Sequence, residues 1–275
     1  MRVDPHPGVA MYKASIVIPC YNEETTLRNT VSRVLEIRDD TLALELVIVD
    51  DCSQDKSLEI ARELEKELQE VRVYNHVVNQ GKGAALRTGF KEASGDCIAV
   101  QDADLEYDPH DLRKLIRLLQ EDKADVAIGS RFLTGGPHRV LFFWHSVGNQ
   151  FLTFLSNMMT DLNLSDMETC YKVFKKEALE GIEIEENRFG FEPEIVAKVA
   201  RKKLRIFEMG ISYSGRTYEE GKKIGAKDGF RAIYCIIRYN IGHLPLGMKV
   251  FLTLCLATIG GGIAGLVYLF KLLAG

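Results

Sequence analysis

The chain has 275 residues, a formal net charge of −4 and a pI of about 5.9. Hydrophobic residues make up 46% of it and charged residues 27%, which is near the globular average and excludes a disordered or fibrous protein. Proteins that bind nucleic acid through its phosphates are normally more basic, so no nucleic-acid partner is expected. The 6 cysteines are scattered without metal-ligand spacing and are expected to be reduced thiols.

Short β-branched segments alternate with helical patterns along the first half of the chain. Asp108 followed by Pro109 is a typical helix start. The alternation predicts an α/β fold with a mainly parallel sheet flanked by helices. The predicted strands are 15–18, 44–49, 71–77, 97–100 and 125–128, and the predicted helices are 24–37, 55–68, 81–93, 109–121 and, after the alternation weakens, 142–159.

Polar clusters follow four of these strands, at the sheet edge where parallel α/β proteins bind ligands. Asp102 and Asp104 come directly after an apolar strand, and a bend between them could direct both carboxylates to one point. Oxygen ligands of this kind suit Mg²⁺ or Mn²⁺ shared with a phosphate, with Glu106 as a further ligand, directly or through water. The alternative is a simple turn, because Asp favours turns. The nearby Asp50 and Asp51 favour the metal site.

The segment Asn79-Gln-Gly-Lys-Gly-Ala-Ala85 opens a predicted helix and is similar to a phosphate cradle. Its spacing matches neither the P-loop nor the dinucleotide-binding fingerprint. We therefore predict only a close approach of the backbone to a ligand, with Gly81 and Gly83 removing side-chain bulk. Gly81 and Lys82 are the residues expected to contact that ligand.

The C-terminal part has a different composition. Val250–Phe270 contains 21 residues without a charged side chain, between Lys249 and Lys271. As a helix it would be about 31 Å long, enough to cross a hydrocarbon core of about 30 Å. The alternative is a buried core helix. Basic residues accumulate before this segment, which predicts a single-pass C-terminal anchor with the larger N-terminal part in the cytoplasm.

A mixed apolar and basic stretch precedes the predicted span. Phe230 to Leu244 combines aromatic and branched residues with Arg231 and Arg238, which is suited to a helix lying in the headgroup plane. An ordinary amphipathic helix packed on the domain has the same periodicity. We predict a domain at 1–226, an interfacial amphipathic helix at 227–246 and a transmembrane helix at 247–275.

Taken in order, these motifs resemble the family 2 glycosyltransferases, whose fold is called GT-A, and within them the polyprenyl-phosphate (dolichol-phosphate-type) hexosyltransferases. The resemblance covers roughly residues 15–223. It is carried by I-V-I-P-C-Y-N-E-E, V-D-D-C-S-Q-D, N-Q-G-K-G-A-A, Q-D-A-D-L-E and I-G-S-R-F. Each motif alone is weak, whereas the ordered set is specific.

The resemblance implies metal-dependent, inverting transfer of a hexose from a nucleotide sugar, GDP-mannose or UDP-glucose, to a polyprenyl phosphate at the cytoplasmic membrane face. It makes Asp104 and Arg131 the catalytic residues and places Mg²⁺ or Mn²⁺ on Asp102, Asp104 and Glu106. The nearest branch often has Gln where this chain has Glu106. The residues implied to bind the nucleotide sugar are Pro19, Tyr21, Glu23, Asp50, Asp51, Gly81, Lys82 and Asp102.

The segment 215–222 resembles the acceptor-binding segment of that branch. Arg216, Tyr218 and Lys222 are implied to bind the acceptor phosphate, since Arg grips phosphate with a fork of donors and Lys adds a point charge. The chain lacks the Q-x-x-R-W motif of processive synthases, which predicts one transfer per encounter.

Two other functions fit the same sequence. One is transfer to a saccharide or protein hydroxyl, which would need a general base, with Asp166, Glu168 and Glu192 as candidates. The other is a membrane-anchored nucleotide-binding module without catalysis, against which the Asp102/Asp104 pair argues.

Overall fold

The computed structural model describes residues 11–133, 139–140, 142–216 and 225–243. Within these residues, seven strands form one sheet in the order β3-β2-β1-β4-β6-β5-β7. All neighbouring strands are parallel except β6, which is antiparallel to β4 and β5. The strands are β1 Tyr12–Cys20, β2 Leu42–Asp50, β3 Val71–Asn75, β4 Cys97–Val100, β5 Val126–Ser130, β6 Lys172–Lys175 and β7 Ile206–Gly210.

Helices connect the strands and cover the sheet. The predicted helix start is confirmed, because the Asp108 side chain accepts a hydrogen bond from the His110 amide and Pro109 is the first helical residue. The helices are α1 Leu27–Leu35, α2 Ser57–Glu67, α3 Lys82–Glu92, α4 Pro109–Gln120, α5 Phe143–Thr160, α6 Phe191–Arg201 and α7 Ala226–Asn240, with short 3₁₀ helices at Lys176–Leu179 and Ile241–His243.

The predicted mainly parallel α/β fold is confirmed, and each predicted strand lies within or overlaps an observed one. The central strands are buried on both faces, as their continuous apolar sequences require. The two strands β6 and β7 were not predicted, because a buried charge in Lys172-Val-Phe-Lys175 and the partial exposure of Ile206–Gly210 break the expected pattern.

Helix α7 has one face packed on the domain and one exposed face, and its position in the headgroup plane stays a prediction. Ala232, Cys235 and Ile236 are buried against the domain, as in an ordinary amphipathic helix. Phe230, Tyr234 and other residues of its opposite face are exposed. No helix in the described part of the chain is long and apolar enough to cross a membrane. The predicted span at Val250–Phe270 lies outside the described residues.

Candidate active site

A cavity of about 680 Å³ lies at the carboxyl ends of the parallel strands. The segments that follow β1, β2, β4 and β5 contribute to its wall, together with α5, the start of α6 and α7. This is the edge at which the predicted polar clusters were expected to meet. The predicted site residues that line it are Pro19, Tyr21, Glu23, Asp51, Gly81, Lys82, Asp102, Asp104, Glu106, Arg131 and Arg216.

Asp51 is fixed by hydrogen bonds to the protein itself. Its Oδ1 accepts from the Gln80 amide at 2.9 Å and its Oδ2 from the Gly81 amide at 2.6 Å. Nδ1 of His76 lies 2.7 Å from Oδ1, and Nε2 of His76 lies 2.9 Å from Thr88 Oγ1. Asp51 therefore ties the loop before α3 to the end of β2.

Asp50, which the sequence also assigned to the nucleotide sugar, is not among the residues that line the cavity. It is almost completely buried. One of its carboxylate oxygens accepts a hydrogen bond from the Ser53 amide at 3.0 Å, and the other is enclosed without a partner in the described part of the chain. The structure thus places Asp50 behind the cavity wall, where it holds the turn after β2.

The two glycines before and in α3 meet the protein's own backbone. Gly81 has a φ of +98°, and a Cβ there would lie 2.5 Å from the Asn187 carbonyl oxygen. A Cβ on Gly83 would lie 2.2 Å from the carbonyl oxygen of Glu186. Segment 186–188 thus passes close to both glycines, and side chains at these positions would force the two segments apart. Gly81 also lines the cavity, so the approach to a ligand stays a prediction.

Lys82 joins two acidic residues in the cavity wall. Its Nζ lies 3.0 Å from Asp102 Oδ1 and 3.1 Å from Glu192 Oε1. Burial opposes the ammonium charge, but both carboxylates outweigh it and hold the pKa of Lys82 well above its usual range. Lys82 is therefore a half-buried cation beside the first aspartate of the D-x-D motif.

In the D-x-D segment Asp102 faces Lys82 and Asp104 faces Arg216, so a bend that directs both carboxylates to one point stays a prediction. Leu105 has a φ of +62°, and Asp104 and Glu106 both face Arg216. Nη2 of Arg216 lies 2.9 Å from Asp104 Oδ2, and Nε lies 3.1 Å from Glu106 Oε1. Glu106 also accepts hydrogen bonds from Tyr213 Oη at 2.7 Å and from the Arg216 amide at 3.0 Å.

Asp104 is held in an unfavourable environment. Burial, together with the charges of Asp102 and Glu106, raises its pKa to about 7, although Arg216 opposes the shift. Clustered carboxylates that repel one another in this way are a suitable donor set for a hard divalent cation. Among the described side chains, however, no group of three or more His, Cys, Asp and Glu residues is arranged to hold a metal ion. In this conformation Arg216 supplies the compensating charge.

Arg216 lies in the cavity, whereas the other two predicted acceptor-phosphate ligands, Tyr218 and Lys222, lie outside the described residues. Nη1 of Arg216 is also 3.6 Å from Glu23 Oε2. One guanidinium thus faces carboxylates that follow β1 and β4. An anionic ligand that attracted Arg216 would uncover these carboxylates.

Arg131 is paired with Asp166. Its Nε and Nη2 donate to the two carboxylate oxygens at 2.6 and 2.7 Å, and Nη2 also donates to Asn149 Oδ1 at 3.0 Å. Burial would raise the pKa of Asp166, but the charge and hydrogen bonds of Arg131 lower it. Asp166 is completely buried, so this pair fixes the end of β5 to the segment before β6.

A second group of buried charges was only partly found from the sequence. Lys172 is completely buried, and its Nζ donates to the carbonyl oxygens of Met167, at 2.9 Å, and Thr169. Burial lowers the pKa of Lys172. Burial and the neighbouring Glu192 raise the pKa of Glu168 to about 8. The signal for Lys172 is one charge within the apolar run Cys170-Tyr-Lys-Val-Phe174.

Known proteins with similar sequences agree with the motifs. Residues 15–182 match the family model described as glycosyl transferase family 2. The chain is 32% identical over 232 residues to a dolichol-phosphate mannosyltransferase of Pyrococcus furiosus, covering 83% of this chain and 64% of that protein. It is 28% identical over 250 residues to an undecaprenyl-phosphate mannosyltransferase of Micrococcus luteus, covering 86% and 98%. The chain thus spans less than two thirds of the Pyrococcus protein.

A solved structure with the same architecture is the glucosyl-3-phosphoglycerate synthase of Mycobacterium tuberculosis in complex with Mn²⁺, UDP and glucosyl-3-phosphoglycerate. Its TM-score is 0.64 at 18% sequence identity, covering 86% of this chain and 82% of that one. At this identity the likeness supports the fold alone. The family model covers more than half of the chain, in agreement with the strand-end motifs, and this chain therefore belongs to glycosyl transferase family 2.

Proposed function

We propose that this protein transfers a hexose from a nucleotide sugar, UDP-glucose or GDP-mannose, to a polyprenyl phosphate at the cytoplasmic face of a membrane. The observation that carries the proposal is the composition of the cavity wall. D-x-D carboxylates and half-buried cations occur in the same cavity as α5 and α7, two helices with exposed apolar outer residues. The names of the Pyrococcus and Micrococcus relatives support the same acceptor class.

The donor diphosphate fits the D-x-D end of the cavity. Asp102, Asp104 and Glu106 would hold Mg²⁺ or Mn²⁺, which neutralises the charge that develops on the departing nucleoside diphosphate. Arg216 now pairs with Asp104 and Glu106. Its guanidinium thus contacts the same carboxylates that the cation would bind. Once these are neutralised by a cation, Arg216 becomes available for an anionic substrate.

The acceptor chemistry requires no strong base. An oxygen of the polyprenyl phosphate attacks the anomeric carbon, the bond from that carbon to the diphosphate oxygen breaks, and the configuration inverts. A phosphate oxygen is already anionic at neutral pH. The contribution of the chain is to hold acceptor and donor in line, with Arg216 placed to grip the acceptor phosphate and Arg131 adding positive charge nearby.

The surface next to the cavity suits a lipid. α5 lines the cavity with Trp144, Gly148 and Leu152, and α7 lines it with Gly229 and Ala232. Apolar residues projecting from the two helices and their ends into solvent are Phe142, Phe143, Trp144, Val147, Phe151, Phe154, Phe230, Tyr234, Ile237 and Ile241. Aromatic residues with Lys227, Arg231 and Arg238 of α7 nearby are typical of a surface that enters the headgroup region.

Transfer assays test the proposal directly. The full chain is incubated with Mn²⁺ and labelled UDP-glucose or GDP-mannose, with undecaprenyl or dolichyl phosphate in vesicles as the acceptor. We expect labelled lipid from one donor and none after removal of the cation with EDTA. Label found only in an added oligosaccharide or peptide would contradict the lipid acceptor, and neither donor hydrolysis nor transfer would contradict catalysis.

A second function is favoured by one observation. Glu168 lines the cavity and has a pKa raised to about 8, which is suitable for a general base. A base is needed when the acceptor is a saccharide or protein hydroxyl. In that case transfer would require Glu168 to be ionised, and transfer to lipid phosphate would be absent.

A further inference from the structure

Glu168 lies in a segment of the cavity wall that several hydrogen bonds hold in place. The segment 166–172 enters β6, and its residues on either side of Glu168 are buried. The Met167 amide donates to Thr153 Oγ1 at 3.1 Å, and the Cys170 amide donates to Tyr107 Oη at 3.3 Å. Lys172 donates to the carbonyl oxygens on both sides of Glu168. The Glu168 side chain therefore starts from a fixed backbone and faces the cavity.

The carboxyl group of Glu168 is incompletely satisfied. Its Oε1 is enclosed and has no hydrogen-bond partner among the described residues. The neighbouring acids differ in this respect, since Asp166 is paired with Arg131 and Glu192 with Lys82. Enclosing a polar atom without a partner costs free energy. Of these three acids, Glu168 is the one with an enclosed oxygen that accepts no hydrogen bond from the described residues.

The position of Glu168 relative to the D-x-D motif indicates which group would donate a hydrogen bond to this oxygen. Lys82 connects Asp102 to Glu192, and Glu192 is the carboxylate whose charge acts most strongly on Glu168. The acids thus continue from the diphosphate end of the cavity towards Glu168. In a nucleotide sugar the hexose is attached to the diphosphate, and its hydroxyl groups are hydrogen-bond donors.

We propose that Glu168 recognises the transferred sugar: the enclosed oxygen of its carboxyl group accepts a hydrogen bond from a hydroxyl group of the hexose and thereby selects nucleotide sugars by their hydroxyl pattern. This role rests on the proposed function, because it assumes a nucleotide-sugar donor. A site that pairs a buried polar group with a substrate hydroxyl rejects an analogue that lacks this hydroxyl, since the protein group then stays unpaired. Glu168 is therefore a specificity-determining residue.

Binding measurements separate recognition of the sugar from recognition of the nucleotide. The probes are UDP, GDP, UDP-glucose and GDP-mannose, titrated calorimetrically with Mn²⁺ into the full chain and into Glu168→Ala. We expect the substitution to weaken binding of the preferred nucleotide sugar about 10-fold, as for the loss of a hydrogen bond to an enclosed polar group, and to change nucleoside diphosphate binding less than about 2-fold. The exposed Glu183→Ala, in the segment before α6, is the matched control and should change neither.

Deoxy donors identify the hydroxyl. One monodeoxy form of the preferred nucleotide sugar should bind the wild type about 10-fold more weakly than the complete nucleotide sugar does. The same two compounds should bind Glu168→Ala with equal affinity. Additive losses for every deoxy form would overturn the proposal. Thermal unfolding of Glu168→Ala should match the wild type, because the change removes an unpaired acid.

Two further outcomes separate this proposal from the function on which it rests. Equal losses for nucleotide sugar and nucleoside diphosphate, or a Glu168→Gln variant with unchanged sugar-nucleotide affinity and no transfer, would overturn sugar recognition alone. The second result would identify Glu168 as a base. Failure of the wild type to bind any of the four probes would overturn the proposed function and this inference together.

Discussion

Two carboxylates in the same cavity wall are treated differently by the protein. Asp51, after β2, accepts hydrogen bonds from two backbone amides and contacts a histidine side chain. Its carboxylate thereby holds the loop before α3. Asp104, after β4, lies among other carboxylates, and its pKa is raised to about 7. Acidic residues at the strand ends thus divide into one set whose charge helps to build the cavity and another set whose charge is disfavoured by its surroundings.

The same division extends to the segment before β6. Asp166 belongs with Asp51, because the guanidinium of Arg131 satisfies it. Glu168, two residues later, belongs with Asp104, because burial and neighbouring carboxylates raise the pKa of both acids. Substitutions should therefore separate stability from activity according to the set to which a residue belongs.

The largest effect is expected for Asp104→Asn. It should reduce sugar transfer about 1000-fold, equivalent to about 4 kcal/mol, because a cation ligand beside the diphosphate is lost. The midpoint of thermal unfolding should stay the same or rise, since a buried charge among like charges is removed. The exposed Asp40→Asn serves as control for both assays. An Asp104→Asn variant that unfolds more easily but transfers sugar at the normal rate would show that Asp104 serves stability and not activity.

Asp166→Ala tests the other set. The substitution leaves the Arg131 guanidinium buried without its anion, which should lower the free energy of unfolding by about 3 kcal/mol. Urea unfolding of the ligand-free protein measures this loss. Asp166→Asn, which keeps a hydrogen-bond acceptor, should lose less. Equal stability of Asp166→Ala and the wild type would show that the pair does not hold β5 to the segment before β6.

Asp51→Asn should have a smaller effect on stability, about 2 kcal/mol, because an amide nitrogen would face at least one of the backbone donors at Gln80 and Gly81. Hydrogen exchange at residues 79–81 should accelerate more than exchange in β4. His76→Ala, which removes the other partner of Asp51, is expected to act in the same direction. Unchanged exchange in this loop would place Asp51 with the acids whose charge is disfavoured instead.

The smallest effect concerns Glu45, a satisfied carboxylate in β2. Burial would raise its pKa, but hydrogen bonds from Ser15, Ser94 and Lys13 lower it to about 2. Its stabilising contribution is therefore complete above the ordinary pKa and is lost as the pH falls from about 4.5 to about 2, at roughly 1 to 2 kcal/mol. The unfolding free energy of Glu45→Gln should fall less over this range. Parallel curves for the two proteins would contradict this assignment.

Most of the sheet could be predicted from the sequence, because β1 to β5 are continuous apolar runs between clear helical patterns. The helix start at Asp108 and Pro109 was predictable from local chemistry alone. β6 was not predictable, because its first residue is a buried lysine whose charge is accommodated by carbonyl oxygens of the preceding segment. Such compensation depends on a turn that no periodicity reveals.

The site was predictable as a set of residues and less so as a set of contacts. The strand-end rule brought Asp51, Asp102 and Arg131 to one cavity, because parallel strands share a carboxyl edge. It could not show that Asp50 lies behind the wall, nor that Arg216 bridges Asp104 and Glu106. These facts depend on side-chain directions and on chain segments more than 100 residues apart in sequence.

The glycines at 81 and 83 carry a lesson for comparing related sequences. The backbone of residues 186–188 passes through the space that a Cβ at either glycine would need, so the motif lies at a close contact between an early and a late part of the chain. In a pattern search, reading the two glycines of Asn-Gln-Gly-Lys-Gly as substrate-binding residues would count a packing requirement as evidence of activity. Relatives with a bulkier residue at either glycine position should show a compensating shift or a deletion in the segment that corresponds to residues 186–188.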